Sequence, residues 1–375
     1  MFDLADRIRG EIAATGPMSI ADYMRRCLSD PKAGYYTTRD PFGTRGDFVT
    51  APEVSQMFGE LIGLWCVSVW TALGEPERFD LVELGPGRGT LMADLLRAAR
   101  IRPCFTEAAA IHMVETSPTL REKQQQALAE HAGRVTWYDR IEGLGDGPLL
   151  LVANEFFDAL PIRQFVLGPD AWRERMVGLD GDGALAFALG PPVSDPSSAE
   201  NLPLGTEPGA VLETSPEGER IMAEICRRLG AAGGTALIVD YGKDRAAYGD
   251  TFQAVARHGY ADPLADPGAA DLTAHVDFLR LSQIAEAAGL AVSGPVGQGD
   301  FLLEMGLLER AGSLGAGKGQ AVQEEIRAAV ERLAGDDQMG RLFKVMAVSH
   351  GKIAFPGFDR SRATTHRPVE QEHKG

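Results

Sequence analysis

The sequence is poor in cysteine, and its cysteines do not form a metal or disulfide pattern. Only four occur in 375 residues, and no two of them are spaced as Cys-x-x-Cys. This scatter gives no support to a structural zinc site or to a disulfide framework. We therefore predict no bound metal and a reducing compartment.

Long apolar runs are also missing. No stretch approaches the ~18 consecutive apolar residues of a membrane-spanning helix. The first 15 residues carry Asp3, Asp6 and Glu11 among their apolar positions, so they lack the continuous apolar region of a secretory signal. The sequence thus predicts a cytoplasmic protein that does not insert into membranes.

Positively charged residues are also fewer than negatively charged ones. The chain has 37 Lys and Arg against 53 Asp and Glu, a formal net charge of -16. Such a surface repels the phosphates of nucleic acids and suits a neutral or cationic acceptor. The same acidity could serve solubility alone. The charge therefore argues against a nucleic-acid partner but does not identify another partner.

The hydrophobic pattern divides the chain into three parts. Residues 1–78 are predicted to form a helical extension that acts as a lid over cofactor and substrate. Residues 79–357 alternate strands with helices, which indicates an α/β fold with a doubly wound parallel sheet. This part has a β-rich insertion at about 162–210 and a polar insertion at 243–273. Residues 358–375 are polar and are expected to be a mobile tail.

Three local features are predicted along the chain: a helix cap, a long helix and a linker. Ser19 is expected to cap a second helix. A single helix is expected from about Pro52 to Leu73, with proline in its first turn. The glycine-rich stretch from Gly312 to Gly319 is expected to be a flexible linker.

A glycine-rich loop follows the first strand of the α/β part. The strand Phe79–Leu84 ends at Gly85, Gly87 and Gly89, and a helix is predicted to begin at Thr90. Ligands of open α/β sheets bind at the carboxyl ends of the strands. Glycines there let the backbone approach a ligand closely, and the helix start offers free N–H groups. The loop therefore predicts a cofactor site, although a plain tight turn is the alternative.

The residues around this loop favour S-adenosylmethionine over a dinucleotide. The spacing is G-x-G-x-G rather than G-x-G-x-x-G, and Glu83 precedes the first glycine. A carboxylate there would repel a pyrophosphate but attract the cationic amino group of a methionine moiety. Glu115 follows the second strand, where it could accept both ribose hydroxyls, although a nicotinamide site shares this feature. Asp139 follows the third strand and could contact the adenine.

The predicted cofactor contacts also include a segment of the extension. Phe48 and Thr50 could close over the cofactor and exclude water, although a hydrophobic staple and helix cap would use the same residues. The predicted cofactor-binding set is Phe48, Thr50, Glu83, Gly85, Pro86, Gly87, Gly89, Thr90, Glu115, Thr116, Asp139 and Asn154.

Five sequence blocks, in this order, resemble the MidA family of class I methyltransferases, which is related to a mitochondrial complex I assembly factor. The blocks are Gly46–Val54, Glu83–Gly89, Asn154–Pro161, Val239–Gly242 and Asp271–Phe278. The resemblance implies a Rossmann-like seven-stranded sheet and conversion of S-adenosyl-L-methionine to S-adenosyl-L-homocysteine. It also implies protein arginine methylation, in eukaryotic members on a subunit of respiratory complex I.

Candidate catalytic residues follow the fourth strand of the sheet. Glu155 and Asp158 could clamp a planar guanidinium through paired hydrogen bonds, and Asn154 could help to orient it. The alternative is that these carboxylates cap a helix or pair with a neighbour such as Arg163.

The last predicted site residues lie in and after the second insertion. His275 could accept a proton because its pKa lies near neutrality, although a lone histidine is more often structural. Asp271 could be catalytic or could cap a helix. Arg257 and His258 are candidate acceptor contacts.

Three functions remain open from the sequence. The first is an S-adenosylmethionine-dependent methyltransferase, with a protein arginine as acceptor. The second is an assembly factor that binds a client protein and in which methylation is secondary. The third is a nicotinamide-dependent oxidoreductase, which the glycine spacing and Glu83 disfavour. The sequence does not predict the oligomeric state.

Overall fold

The computed structural model describes residues 3–38, 49–194, 196, 206–256 and 259–358. Residues 359–375 of the expected tail lie outside the described part of the chain, and so does Phe48.

Strands and helices alternate through the middle of the chain, as the hydrophobic pattern predicts. The strands are β1 (Met18–Ser19), β2 (Phe79–Leu84), β3 (Ala109–Val114), β4 (Val135–Tyr138), β5 (Leu149–Asn154), β6 (Arg163–Leu167), β7 (Trp172–Leu179), β8 (Leu185–Val193), β9 (Val211–Thr214), β10 (Gly234–Lys243), β11 (Gln253–Ala256), β12 (Gly259–Ala261), β13 (Asp271–Thr273), β14 (Val276–Asp277), β15 (Ala291–Gly297) and β16 (Phe343–Ser349). The α-helices are α1 (Leu4–Thr15), α2 (Ile20–Ser29), α3 (Tyr35–Thr38), α4 (Ala51–Val54), α5 (Gln56–Ala72), α6 (Thr90–Ala99), α7 (Pro103–Ala108), α8 (Pro118–Ala127), α9 (Pro216–Ala232), α10 (Phe278–Ala287), α11 (Gln298–Glu304), α12 (Leu307–Gly315) and α13 (Gln320–Ala334).

The central sheet has the order β15-β16-β10-β5-β2-β3-β4, and the short strand β14 pairs beside β10. β4, β3, β2, β5 and β10 are parallel, whereas β16 runs antiparallel to both of its neighbours. The predicted α/β sheet is confirmed. The sheet has eight strands, seven along this path and the short β14 beside it.

Side chains alternate between two cores, one on each face of this sheet. Leu81 and Leu150 pack with helices α5 and α6 on one face. Val82 and Leu151 pack with α9 and α10 on the other. Strands covered on both faces are apolar throughout, and every residue of β5 is buried. The carboxyl ends of β2, β3 and β5 therefore meet at one edge of the sheet.

The first insertion forms a separate antiparallel sheet of five strands. β6, β7 and β9 form its path with β1 from the N-terminal extension, and β8 pairs with β7. Met18 pairs with Val177, and Ser19 pairs with Met176. The predicted meander is thus joined to the extension by backbone hydrogen bonds.

The second insertion differs from the long polar loop that the sequence predicts. It contains the three-stranded sheet β12-β11-β13, in which Gln253 pairs with Thr273 and Val255 with Asp271. All three residues of β13 are buried although two of them are polar. Such short, polar strands leave no hydrophobic alternation in the sequence, which explains the difference.

Two helix predictions need correction, and one is confirmed. The helix expected from Pro52 to Leu73 is broken at Ser55, which has extended backbone angles (φ -164°, ψ 141°) and accepts a hydrogen bond from the Met57 N–H to begin α5. The predicted linker is partly helical, because α12 continues to Gly315. Ser19 caps α2 as expected, since its side chain accepts from the Asp22 N–H. Within the described residues, none of the helices has the length and apolarity needed to span a bilayer.

Candidate active site

A cavity of about 470 Å³ opens at the carboxyl edge of the central sheet. Gly85 and Glu115 line it from the ends of β2 and β3, and Glu155 lines it from the end of β5. Tyr36 of α3 and Thr50, which precedes α4, line it from the extension. A smaller cavity of about 40 Å³ shares Thr50, Gly85 and Glu155 with the larger one. The predicted cofactor residues and carboxylates therefore lie around one continuous site.

The glycine loop has the backbone geometry that only glycine adopts readily. Gly85, Gly87 and Gly89 have φ values of 59°, 52° and 82°, in the left-handed region. A Cβ added at Gly85 would lie 2.8 Å from the Phe156 ring. The loop therefore packs closely against the residues that follow β5, and a side chain at Gly85 would separate the two halves of the site.

Two residues that line the smaller cavity, Glu83 and Asn154, each have a buried polar atom without a partner in the described part of the chain. Among the described residues, neither Glu83 Oε2 nor Asn154 Oδ1 has a hydrogen-bond partner, although the residues are only 3% and 8% exposed. Burial raises the pKa of Glu83 well above its usual value, and the Glu115 carboxylate adds to this. Unpaired buried acceptors are costly. The pair fits the ammonium group of a methionine moiety, which would donate to both.

Glu115 is fixed by hydrogen bonds at the end of β3. Its Oε1 accepts from the Ser117 N–H at 2.8 Å and its Oε2 from Gln124 Nε2 at 3.2 Å. Gln124 also donates to the Gly87 carbonyl at 2.8 Å. Burial raises the pKa of Glu115. Gln124 thus ties the predicted ribose acceptor to the glycine loop, and no sequence pattern had identified it.

The remaining predicted cofactor residues lie at the rim or below the loop. Thr116 and Asp139 line the large cavity, and Asp139 is paired with Arg121 at 2.7 Å. Pro86 and Thr90 line the small cavity. Thr90 Oγ1 donates to Glu53 Oε1 at 2.6 Å, which connects the loop to α4.

Glu155 occupies a strained position at the end of β5. It has a positive φ of 49°, which is uncommon for a residue other than glycine. Its Oε1 accepts from the backbone N–H of Ala51 at 2.9 Å and from Asn154 Nδ2 at 3.3 Å. Burial raises its pKa to about 7. Ala51 is the first residue of α4. Glu155 therefore also caps this helix, as the alternative prediction for these carboxylates has it.

Asp158 lies one turn further along the same segment. It is buried, and desolvation raises its pKa to about 6, an effect that the neighbouring Tyr241 partly opposes. The alternative pairing with Arg163 does not occur, since Arg163 donates to Glu174 at 2.8 Å. Both Asp158 and Tyr241 line the large cavity.

Asp240 holds this segment in place, and sequence reasoning had given it no role. Its Oδ2 accepts from the N–H groups of Phe156, Phe157 and Asp158 at 3.1, 3.0 and 3.3 Å. Its Oδ1 accepts from its neighbour Tyr241. Asp240 is fully buried in β10. In the sequence, the feature that points to Asp240 is its place in the Val239–Gly242 block of the family resemblance.

Asp271 does not cap a helix, contrary to one prediction. It lies in β13, lines the large cavity, and accepts from the Tyr36 hydroxyl, which is 2.8 Å from each carboxylate oxygen. Helix α10 is instead capped by Asp277, which accepts from the Arg280 N–H at 2.9 Å. The structure therefore adds Asp271 and Tyr36 to the residues around the site.

His275 is not brought together with these carboxylates. It lines a separate cavity of about 80 Å³, and burial lowers its pKa. Its ring packs edge-to-face on Tyr241, with centroids 5.5 Å apart, and its backbone N–H donates to Thr251 Oγ1 at 2.9 Å. Arg257 and His258 lie outside the described residues. Within the described chain, no group of three or more His, Cys, Asp or Glu side chains could hold a metal ion.

The fold and this site define a methyltransferase that uses S-adenosylmethionine. The profile of a family described as S-adenosyl-L-methionine-dependent methyltransferases matches residues 61–296. The chain belongs to this family.

Named relatives extend over most of the chain. A Drosophila melanogaster protein named protein arginine methyltransferase NDUFAF7 homolog, mitochondrial, is 41% identical over 94% of this chain and 86% of its own length. The Homo sapiens protein named protein arginine methyltransferase NDUFAF7, mitochondrial, is 36% identical over 90% of this chain and 81% of its own length. These names bear out the resemblance inferred from the sequence blocks.

A solved structure supports both the fold and the cofactor. A Burkholderia thailandensis protein with bound S-adenosyl-homocysteine is 30% identical, with a TM-score of 0.83 over 95% of this chain and 94% of that one. The predictions of an α/β methyltransferase fold and of S-adenosylmethionine as cofactor are confirmed.

The predicted cytoplasmic location is wrong. The relatives from Drosophila melanogaster, Xenopus tropicalis and Homo sapiens are all named as mitochondrial proteins. The prediction depended on the missing apolar signal region, and that absence argues only against secretory export.

Proposed function

We propose that this protein transfers the methyl group of S-adenosylmethionine to a guanidinium nitrogen of arginine in a client protein. The observation that carries the proposal is a pair of carboxylates, the half-buried Glu155 and the buried Asp158, which line the same cavity as the glycine loop. Relatives named protein arginine methyltransferases support this acceptor.

The proposed cofactor contacts use the polar atoms at the ends of β2, β3 and β5. Glu83 and Asn154 would accept hydrogen bonds from the ammonium group, and Glu115 would accept from the ribose hydroxyls. Gly85 and Gly87 leave the backbone open to the ligand. When bound, S-adenosylmethionine supplies a methyl group that is activated by the positive charge of its sulfur.

Glu155 and Asp158 would orient the acceptor. A guanidinium group stays protonated in proteins and has five N–H donors in one plane. Carboxylates match this plane through paired, charge-assisted hydrogen bonds. A cation between them would also lower the pKa of both acids, so that burial no longer keeps them protonated.

Glu155 is also the proposed proton acceptor. A guanidinium nitrogen that gains a methyl group must lose one proton, and the methylated guanidinium remains a cation. The bound guanidinium keeps the Glu155 carboxylate ionised, so that it can take this proton as the methyl group is transferred and release it to solvent afterwards. The Ala51 N–H and Asn154 Nδ2 hold its Oε1 in place.

The client is proposed to be a subunit of respiratory complex I or a similar protein, on the basis of the family resemblance. The test is to incubate purified protein with S-adenosylmethionine carrying a deuterated methyl group and with a lysate from cells that lack the gene. Mass spectrometry should find the label on arginine with the wild type and the Glu286→Gln control, and not with Glu155→Gln. Glu286 is exposed on α10, away from the cavity.

Two results would contradict this function. Label on lysine, on a carboxyl group or on a small molecule, with none on arginine, would assign another acceptor. Equal capture of one client by the wild type and Glu155→Gln, without any methyl mark, would favour a client-binding factor.

A further inference from the structure

Helix α4 contacts both parts of the proposed active site. Pro52 and Glu53 of this helix line the small cavity, which also contains the two residues proposed to bind the ammonium group of the cofactor. The first residue of the helix, Ala51, donates its N–H to Glu155 in the acceptor part of the site. A helix of four residues therefore contacts the binding sites proposed for both substrates.

We propose that Glu53 is a positioning residue that couples the binding of the acceptor to the binding of the cofactor through α4. This inference rests on the proposed arginine methylation. It predicts that the two substrates bind cooperatively, so that each of them holds the other more tightly in the ternary complex.

The side chain of Glu53 joins α4 to the end of the glycine loop. Its Oε1 accepts from Thr90 Oγ1 at 2.6 Å, and Thr90 begins α6 directly after Gly89. Its Oε2 lies 3.5 Å from Arg88 Nη1 in the same loop. One carboxylate thus holds two neighbouring positions of the cofactor loop, and a shift of α4 would have to move the loop or break these contacts.

Glu155 holds the other side of α4. Its Oε1 accepts from the Ala51 N–H at 2.9 Å, and the residue keeps a positive φ of 49° at this position. Ala51 is fully buried, so water cannot replace Glu155 as the partner of this N–H. A buried N–H without a partner is costly. The placement of α4 therefore depends on the Glu155 carboxylate.

Binding of the acceptor changes the strength of the Glu155–Ala51 bond. Desolvation raises the pKa of Glu155 to about 7 in the free protein, so that part of the population carries the neutral acid near neutral pH. A guanidinium group in the cavity favours the ionised form. An ionised acceptor makes a stronger hydrogen bond than a neutral one. The bound acceptor therefore holds α4 more firmly against the cofactor loop.

Thermodynamic linkage makes this effect reciprocal. If the acceptor tightens cofactor binding by some factor, the cofactor tightens acceptor binding by the same factor. A hydrogen bond that changes from neutral to charge-assisted can supply an effect of about fivefold. The free enzyme would thus exchange cofactor more readily than the enzyme that has already bound its acceptor.

Calorimetry on the full-length protein tests the coupling with S-adenosyl-L-homocysteine, which permits no turnover. The acceptor is a peptide that contains the arginine labelled in the lysate experiment. The Kd for S-adenosyl-L-homocysteine is measured without peptide and with saturating peptide, and the ratio of the two values is the coupling factor. A residue that only binds the cofactor, or only supports the fold, would change both Kd values alike and leave this ratio unchanged.

Glu53→Ala removes the connection to Thr90, and Glu75→Ala is its matched control. Glu75 also accepts from a threonine hydroxyl, Thr71 Oγ1 at 3.4 Å, and it also pairs with an arginine, Arg102 at 2.5 Å. It follows α5 and is not among the residues that line the two cavities of the site.

We expect a coupling factor of about 5 for the wild type and for Glu75→Ala. The factor should fall to about 1 in Glu53→Ala. It should also fall to about 1 in Glu155→Gln, which can still accept from Ala51 but cannot ionise. In turnover at saturating S-adenosylmethionine, Glu53→Ala should raise the KM for the peptide by about the factor that the coupling loses.

A coupling factor of 1 in the wild type would overturn the inference, and so would a wild-type factor in Glu53→Ala. If Glu53→Ala fails to fold, Thr90→Val decides the question by the same ratio, because it removes the hydroxyl at the other end of the same bond. A lysate experiment in which the wild type labels no arginine would overturn the proposed function together with this inference. That outcome is distinct because it is seen in the wild type alone, before any variant is compared.

Discussion

Glu155 Oε1 accepts a hydrogen bond from the backbone N–H of Ala51 at 2.9 Å. One acid of the proposed acceptor site therefore also satisfies the first free amide of α4, whose own N-cap residue, Thr50, makes no side-chain capping bond to the helix. Glu53 of α4 accepts in turn from Thr90 at the start of α6. The short helix thus connects the acceptor carboxylate with the glycine loop.

Glu155→Gln should separate these two roles. Glutamine keeps an oxygen that can accept from Ala51, but it cannot take a proton. We expect kcat to fall about 10²-fold or more, the range for a lost general base. The Tm and the Kd for S-adenosylmethionine should change little. Wild-type turnover in this variant, measured with the arginine peptide, would show that Glu155 serves only as a helix cap.

Glu83→Gln should weaken cofactor binding. Burial holds the pKa of Glu83 high in the free protein, and a bound ammonium group would favour the ionised form. We expect the Kd for S-adenosylmethionine to rise about tenfold, as for a lost charge-assisted hydrogen bond.

Proton release provides a second measurement at Glu83. Calorimetry in buffers of different ionisation enthalpy should detect protons released when the wild type binds the cofactor, and fewer for Glu83→Gln. The exposed Glu122→Gln is the matched control on α8. Equal proton release by the wild type and Glu83→Gln would exclude this residue as the ammonium partner.

The pH dependence of stability should reveal the buried acids. Burial raises the pKa of Glu155 from 4.5 to about 7 and that of Asp158 from 3.8 to about 6. Between the unfolded and folded values, the folded state binds more protons than the unfolded state. The free energy of unfolding therefore falls as pH rises from about 4 to 7.

This stability loss can be assigned by comparison with a double variant. The Tm of the free protein should decline across this pH range more steeply than that of Glu155→Gln/Asp158→Asn. An arginine peptide should reduce the difference, because a cation stabilises the ionised acids. Parallel Tm curves for the two proteins would contradict the raised pKa values.

Gly85→Ala should damage both the fold and the cofactor site. The new Cβ would meet the Phe156 ring at 2.8 Å, at a φ of 59°. We expect a loss of about 1–3 kcal/mol in the free energy of unfolding, together with weaker S-adenosylmethionine binding, by denaturant titration and calorimetry. Gly312→Ala in α12 is the control, since its Cβ has no neighbour within 4 Å. Equal stability of the two variants would argue against the close approach at Phe156.

The central sheet is the part of the fold that the sequence predicts best. Phe79–Leu84 is predicted at its observed bounds, because strands covered on both faces are continuous apolar runs between turns. The strands around Asp271 are not predicted, since short, polar strands resemble a loop. Their pairing depends on contacts made far along the chain.

The candidate site is predictable where local sequence determines geometry. The glycine loop with Glu83 and Glu115 indicates its ligand, because those residues lie at the carboxyl ends of adjacent strands. Asp240 and Tyr36 are not identified, since their roles depend on hydrogen bonds to residues that lie 82 to 84 and 235 positions away. His275 shows a different limit, because a residue near in sequence to the site can line another cavity.

The pairing of Met18 and Ser19 with Val177 and Met176 has a consequence for folding during synthesis. The first strand of the chain cannot complete its hydrogen bonds until β2, β3, β4 and β5 of the central sheet have left the ribosome. Contacts this distant in sequence slow folding and expose unpaired strand edges. We expect nascent chains that stop before the first insertion to depend on chaperones.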